Sequence, residues 1–269
     1  MKFVITFYII ILMIPSLSLA STTQTTDKII TTLPPLSGLI IMLLPEVQTQ
    51  CLLSAGADPH HFQPSPKQVD LLNQHHILAR ASRDDQGWPI HVENSQVIDI
   101  WPTENHAWLR FEQVRLALPT LAEILSKKFP QYRKDIQARL IQALQTTKAL
   151  EQAWGKQLQK LQNKGVFMQH PAWQGLLESK QVPIWAVLES HQHGHEHGPR
   201  HLEKALSTLK QHPDAVLLGS KRHSNRSLEW LNKHQGNIKS IITLDALGHC
   251  NQPWDKLMRN NLEVLDKNL

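Results

Sequence analysis

The sequence predicts an α/β protein of two lobes, each a parallel sheet flanked by helices, joined by one long helix. Three observations carry this. Short apolar runs alternate with amphipathic stretches through the first part of the chain, which is the pattern of parallel sheets covered by helices. From Phe111 the pattern changes to long helices with few breaks. The strand–helix alternation then resumes at Gly165 and runs to the end.

In order, residues 29–32 (IITT) read as a strand, and after Pro34-Pro35 residues 36–44 read as a short helix. Residues 50–54 form a second strand, 66–73 a helix, 76–81 a third strand and 96–100 a fourth. Leu116, Leu118, Leu121, Ile124 and Leu125 then fall mostly on one helical face. After Pro130 the apolar series Tyr132, Ile136, Leu140, Ile141, Leu144, Leu150, Leu158 and Leu161 meets no glycine before Gly155. That is too long for the helix of an ordinary α/β unit and suits a bridge between lobes. Residues 165–169, 182–188, 215–218 and 240–244 read as strands. They alternate with helices over 173–179, 200–211, 224–234 (opened by a Ser224 cap) and 254–269. No internal repeat is strong enough to indicate duplication.

The expected organisation is a signal peptide over 1–20, an N-terminal α/β lobe over 21–110, a helical segment over 111–163 and a C-terminal α/β lobe over 164–269. The first segment has a positive start at Lys2, an apolar run over 3–14, Pro15, and small residues at Ser18 and Ala20. This is the pattern of a cleaved secretory signal, and implies a soluble periplasmic protein. The alternative, a membrane anchor, would have to span about 30 Å of hydrocarbon, which the run is too short to do.

Composition narrows the function classes. Of 269 residues, 16 are histidine and only two are cysteine, which excludes a disulfide scaffold and a cysteine-rich zinc module. The formal charge of +5 is mild, and no basic cluster interleaved with aromatics suggests nucleic acid. Cys51 and Cys250 are expected to lie in different lobes, too far apart to bond, because bridged Cα atoms stay within about 7 Å.

In parallel α/β sheets, ligands bind beyond the carboxyl ends of strands. Four positions lie there: His60, His106, His170 and Asp245. Three imidazoles and one carboxylate would complete a tetrahedral zinc site. Placement alone leaves open that these are loop residues making ordinary hydrogen bonds.

The surrounding residues resemble a known family. GADPHHFQPSP around His60, Asn105-His106-Ala107-Trp108-Leu109, Gln169-His170-Pro171-Ala172-Trp173 and Leu244-Asp245-Ala246-Leu247-Gly248 are similar, in order and spacing, to segments of the zinc and manganese ABC-transporter solute-binding proteins (ZnuA-like, cluster A-I). The resemblance covers roughly residues 28–269. It implies that the inter-lobe helix is rigid and that the metal ligands are His60, His106, His170 and Asp245. A histidine at position 170 implies zinc, with manganese or another divalent metal a lesser option. It further implies a non-enzymatic, monomeric carrier that hands zinc to an ABC permease in the inner membrane. The chain departs from the family pattern at Arg110 and Phe111, where Asp and Pro are usual, and over residues 80–96. Arg110 would put a positive charge near the metal unless it pairs with an acid such as Glu112. His61 is the alternative to His60 as first ligand, one position along.

Glu189 to Pro199 (ESHQHGHEHGP) contains His191, His193, His195 and His197, an auxiliary loop for loose zinc capture or simply a solvated segment. His75 and His76 read as structural or surface residues. His91, His212, His223, His234 and His249 read as surface residues, with His249 of interest because it lies four positions after Asp245. Trp108 and Trp173 either wall the metal or pack the core. Zinc capture would weaken below about pH 6 as imidazoles protonate. The competing classes are a secreted zinc hydrolase, for which no His-Glu-x-x-His or Gly-x-Ser-x-Gly motif is found, and a metal buffer without a transporter.

Overall fold

The computed structural model describes residues 28–54, 56–74, 77–92, 97–189, 198–236 and 238–269. The signal-peptide residues 1–20, His75, His76 and the histidines of 191–197 lie outside the described residues.

The first sheet is formed by β1 (Ile29–Thr31), β2 (Thr49–Cys51), β3 (Ile77–Ser82) and β4 (Val97–Trp101). The second is formed by β5 (Val166–Met168), β6 (Ile184–Val187), β7 (Val216–Ser220) and β8 (Ile241–Leu244). Their orders are β2-β1-β3-β4 and β6-β5-β7-β8, and every pairing is parallel. The two lobes thus share one topology. In each, the chain first steps one way along the sheet and then crosses back, so the order reverses between β1 and β3 and between β5 and β7. The carboxyl ends at such reversals are where α/β sheets hold ligands. β1 and β5 are central and wholly buried, which accounts for their unbroken apolar sequences IIT and VFM.

The helices are α1 (Pro34–Leu43), α2 (Pro66–Gln74), α3 (Phe111–Lys128), α4 (Arg133–Gln162), α5 (Gln174–Ser179), α6 (Pro199–Gln211), α7 (Arg226–His234) and α8 (Trp254–Asn268). Between the sheets, α4 has 30 residues, about 45 Å at 1.5 Å per residue. A turn at Pro130–Tyr132 separates it from α3, because proline lacks the donor needed to continue a helix. Its buried stripe is Ile136, Ala143, Thr147, Leu150, Trp154, Leu158 and Leu161, spaced by three, four or seven. Ile141, apolar in sequence, faces solvent at 59% exposure. Thr147 satisfies its buried hydroxyl on the Ala143 carbonyl at 2.7 Å, and Trp154 donates to the Met258 carbonyl at 3.1 Å. Helix α7 begins after Asn225, not at a Ser224 cap. The Asn225 side chain instead bonds both the N–H and the carbonyl of Ser220, tying the helix start to the end of β7.

One continuous apolar core includes residues of both sheets with α1, α3, α4 and α8, and a smaller one fills the outer side of the second sheet. This shared core accounts for a correction. Cys51 and Cys250 form a disulfide, with Cα atoms 5.8 Å apart, where the sequence reading expected none. The segment between β8 and α8 reaches across to the first lobe, because α8 packs on α1 and α4. There Asn251 N–H donates to Ser37 Oγ at 3.0 Å, and the Thr49 hydroxyl bonds the Asn251 side chain. At Gly38 the approach is so close that an added Cβ would sit 2.5 Å from the Gln252 carbonyl oxygen, so no other residue fits there.

Candidate metal centre

The carboxyl ends of both sheets meet around a small cavity of ≈ 20 Å³, room for a single ion or water. Its lining includes His60, Asp84, His106, His170, Arg222 and His223.

Each imidazole is set by local backbone chemistry. His60 lies in the turn Pro59–His61, where the Asp58 carboxylate accepts the His60 N–H at 2.9 Å. The turn after β3 is pinned by buried Asp85, which accepts the Thr32 hydroxyl and the N–H groups of Ala81 and Ser82. That turn presents the next carboxylate back, Asp84, which accepts the His106 N–H at 3.0 and 3.1 Å. His106 is held at φ 48, a left-handed conformation uncommon for a residue with a side chain. His170 lies two residues after the end of β5 and is 4% exposed.

The ring nitrogens converge. His60 Nε2 and His106 Nε2 each lie 3.4 Å from His170 Nε2. On the far side of the His170 ring, Nδ1 pairs with buried Glu189 at 3.2 Å. Glu189 also takes Nδ1 of His223 at 3.3 Å and the Gln169 side-chain amide at 2.9 Å. With Nδ1–H donated to the carboxylate, the His170 ring turns Nε2 inward as an acceptor, the arrangement that orients metal-ligating histidines. Asp84 lies 3.9 Å from His106 Nδ1, within ion-pair range but beyond a hydrogen bond.

The electrostatics follow from this packing. Burial holds His60 low, at about 4, reinforced by the neighbouring His170. Burial also lowers His170, although its bond to Glu189 works the other way. Burial would raise Glu189, but hydrogen bonds from His170, His223 and Gln169 prevail and hold it at about 2. Asp84, raised chiefly by burial, stands at about 7. His60 and His170 are therefore neutral near pH 7, the form that binds metal.

Of the four residues read from the sequence, the structure brings His60, His106 and His170 together. Asp245 does not line the cavity, though its neighbours Ala246 and Leu247 do. Its carboxylate accepts the N–H groups of Leu247 and Gly248 at 3.0 and 2.9 Å, and pairs with Lys221 at 3.3 Å and Arg222 at 3.5 Å. Burial works to raise its pKa, but these backbone bonds and the two cations lower it. His61 and His249 are exposed. Arg110 pairs with Glu104 at 2.5 Å, where Glu112 was the suggested partner. Trp108 lines the cavity beside His106, their ring centres 5.5 Å apart, whereas Trp173 stacks on Trp154 in the core.

His223 is a second correction. Read as a surface residue, its side chain is only 9% exposed and its ring stacks on that of His170 at 3.9 Å. Glu189 and Asp84 were also not singled out as parts of the site. All three follow strand ends (β7, β6 and β3), so the rule that selected the other four would have found them. An expected effect follows for Glu189. Glu189→Gln removes the charge that fixes two rings and should lower zinc affinity about 10- to 100-fold, the usual cost of losing a partner behind a metal ligand. Competition against a chelator measures it, and unchanged affinity would sink the orienting role.

A family model described as ZnuA, "Zinc-uptake complex component A periplasmic", matches residues 29–268. A crystal structure of ZnuA superposes with a TM-score of 0.73 at 20% identity, covering 91% of this chain and 100% of that one. The Zn(II)-bound E280Q variant of AdcAII from Streptococcus pneumoniae gives 0.76 at 16%, covering 90% and 98%. FpvC from Pseudomonas aeruginosa, in complex with Mn2+, gives 0.73 at 16%, covering 90% and 99%. By sequence, the chain is 24% identical over 142 residues to "Uncharacterized protein RP014" of Rickettsia prowazekii (strain Madrid E). That alignment covers 48% of each chain, about half the length of this curated relative.

Proposed function

Since the chain belongs to the ZnuA family of periplasmic zinc-uptake components, we propose that it captures zinc between its two lobes in the periplasm and delivers it to an ABC permease in the inner membrane. One observation carries the choice of zinc. At a Zn–N distance of about 2.0–2.1 Å, tetrahedral ligand nitrogens lie about 3.3–3.4 Å apart. The two Nε2 separations around His170 are both 3.4 Å. Three converging imidazoles also suit zinc better than manganese, which favours oxygen donors. The disulfide fits an exported protein in an oxidising compartment. The His-rich residues 191–197 would add loose capture ahead of the site.

In this reading zinc is cargo, held and not used for chemistry. His60 and His106 come from the first lobe and His170 from the second, so an ion between them bridges both. Glu189 supplies the nearby negative charge, and Asp84, raised by burial to about 7, stands beside His106.

Titration of the metal-stripped chain with zinc and with manganese tests the proposal. One zinc per chain should bind tightly, with manganese weaker, and deletion of residues 190–198 should leave that site intact. Binding should also persist below the ordinary imidazole range near pH 6.5, because burial disfavours protonation of His60 and His170. Manganese binding tighter than zinc would overturn the metal assignment. Absence of saturable metal binding would overturn the function.

A further inference from the structure

We infer that His223, not Asp245, supplies the fourth ligand, making an all-histidine site with His60, His106 and His170. This rests on the zinc-capture reading above and deepens it. One ring nitrogen from each of His60, His170 and His223 lies within 4.8 Å of the other two, and His106 joins this group through His170, at 3.4 Å. Closing 4.8 Å to a tetrahedral edge of about 3.4 Å takes a movement of about 1.4 Å or less. His223 and His170 share the Glu189 carboxylate through Nδ1, so one buried anion turns both rings with Nε2 toward the same space. The rings are stacked, 12° from parallel, and a small tilt of His223 converges their nitrogens.

Asp245 is committed elsewhere. The three residues after β7 divide the work. Lys221 and Arg222 hold the Asp245 carboxylate, and His223 faces the cavity. The Arg222 side chain is 7% exposed, and its guanidinium also donates to the Gly248 carbonyl. Turning Asp245 onto a metal would take it from this buried cation, and stranding a buried charge is costly. Its Oδ1 carries the two backbone N–H groups that close the loop after β8 together with the Arg222 contact, and its Oδ2 faces Lys221, so both oxygens are engaged. Asp245 thus shields the metal from Arg222 while His223 coordinates it.

The test compares zinc affinity in the full mature chain and in His170→Ala, His223→Phe and Asp245→Asn. His223→Phe keeps a ring against His170 and removes the nitrogens. It should lose at least about a hundredfold in affinity, the upper range for partners behind a ligand, while Asp245→Asn stays within about tenfold. Loss on His170→Ala with wild-type affinity in His223→Phe overturns this inference and leaves zinc capture standing. Wild-type affinity in His170→Ala overturns the capture reading itself. Zinc K-edge absorption of the loaded wild-type chain gives a direct count that needs no variant to fold. Four imidazoles support His223, and three with a carboxylate oxygen overturn it.

Discussion

Replacing His170 by alanine is expected to abolish tight zinc binding, with a loss of at least about a thousandfold, beyond the roughly 10–100-fold that partners behind a ligand cost. The size of the effect follows from its place in the cluster. His170 is the ring that both His60 and His106 approach at 3.4 Å, and it is the contribution of β5 at the point where the second sheet reverses. In the variant, His60 and His106 lose the ring nitrogen that both approach, and no ion can bridge the lobes through that position. Glu189 keeps His223 and Gln169 as partners, so the buried carboxylate is not orphaned and the fold should survive. Isothermal titration against a competing chelator measures the loss, and thermal unfolding of the metal-free variant checks the fold. A folded His170→Ala protein that binds zinc like the wild type would mean the metal lies elsewhere.

The second large effect concerns stability. The Cys51–Cys250 bridge spans 199 residues of sequence. By the chain-entropy relation, closing so long a loop destabilises the unfolded ensemble by about 5 kcal/mol, although native strain and residual structure often reduce the measured value. Cys51→Ser, or reduction of the wild type, should therefore lower the unfolding midpoint by many degrees. The bridge joins the end of β2 to the segment before α8, so its loss loosens the contact between lobes at Ser37, Thr49 and Asn251. Differential scanning calorimetry under oxidising and reducing conditions reads the effect. A midpoint unchanged by reduction of the bond would show that packing at Gly38 alone holds this corner.

The two corrections and the successes have one physical origin. Strands and helices were legible because their periods are local. The buried runs IIT and VFM and the stripe of α4 declare themselves within a few residues. The three clustered histidines were legible because the carboxyl end of a parallel strand is a position that local pattern locates. What failed depended on how distant segments pack. The disulfide requires knowing that the chain after β8 turns back over α1, which is set by α8 docking on α1 and α4. His223 requires knowing which of three consecutive polar residues after β7 turns inward. Lys221, Arg222 and His223 all look like surface residues in sequence. Only the pairing of the first two with Asp245 leaves the third to face Glu189 and His170. Asp245 was selected by the same strand-end rule, but its carboxylate is engaged by its own loop.

The covalent bond between Cys51 and Cys250 also changes what the chain is as a connected object. Residues 51–250 form a closed ring, and the parts on either side are tails. His60, His106, His170, His223 and Asp245 all lie inside that ring. A single cut anywhere in its backbone opens the ring without separating any of them into another molecule. The histidine-rich residues 191–197 also fall within the ring. Their length can therefore vary, or the chain be nicked there, while every residue proposed to hold the metal remains tied to the others by covalent bonds.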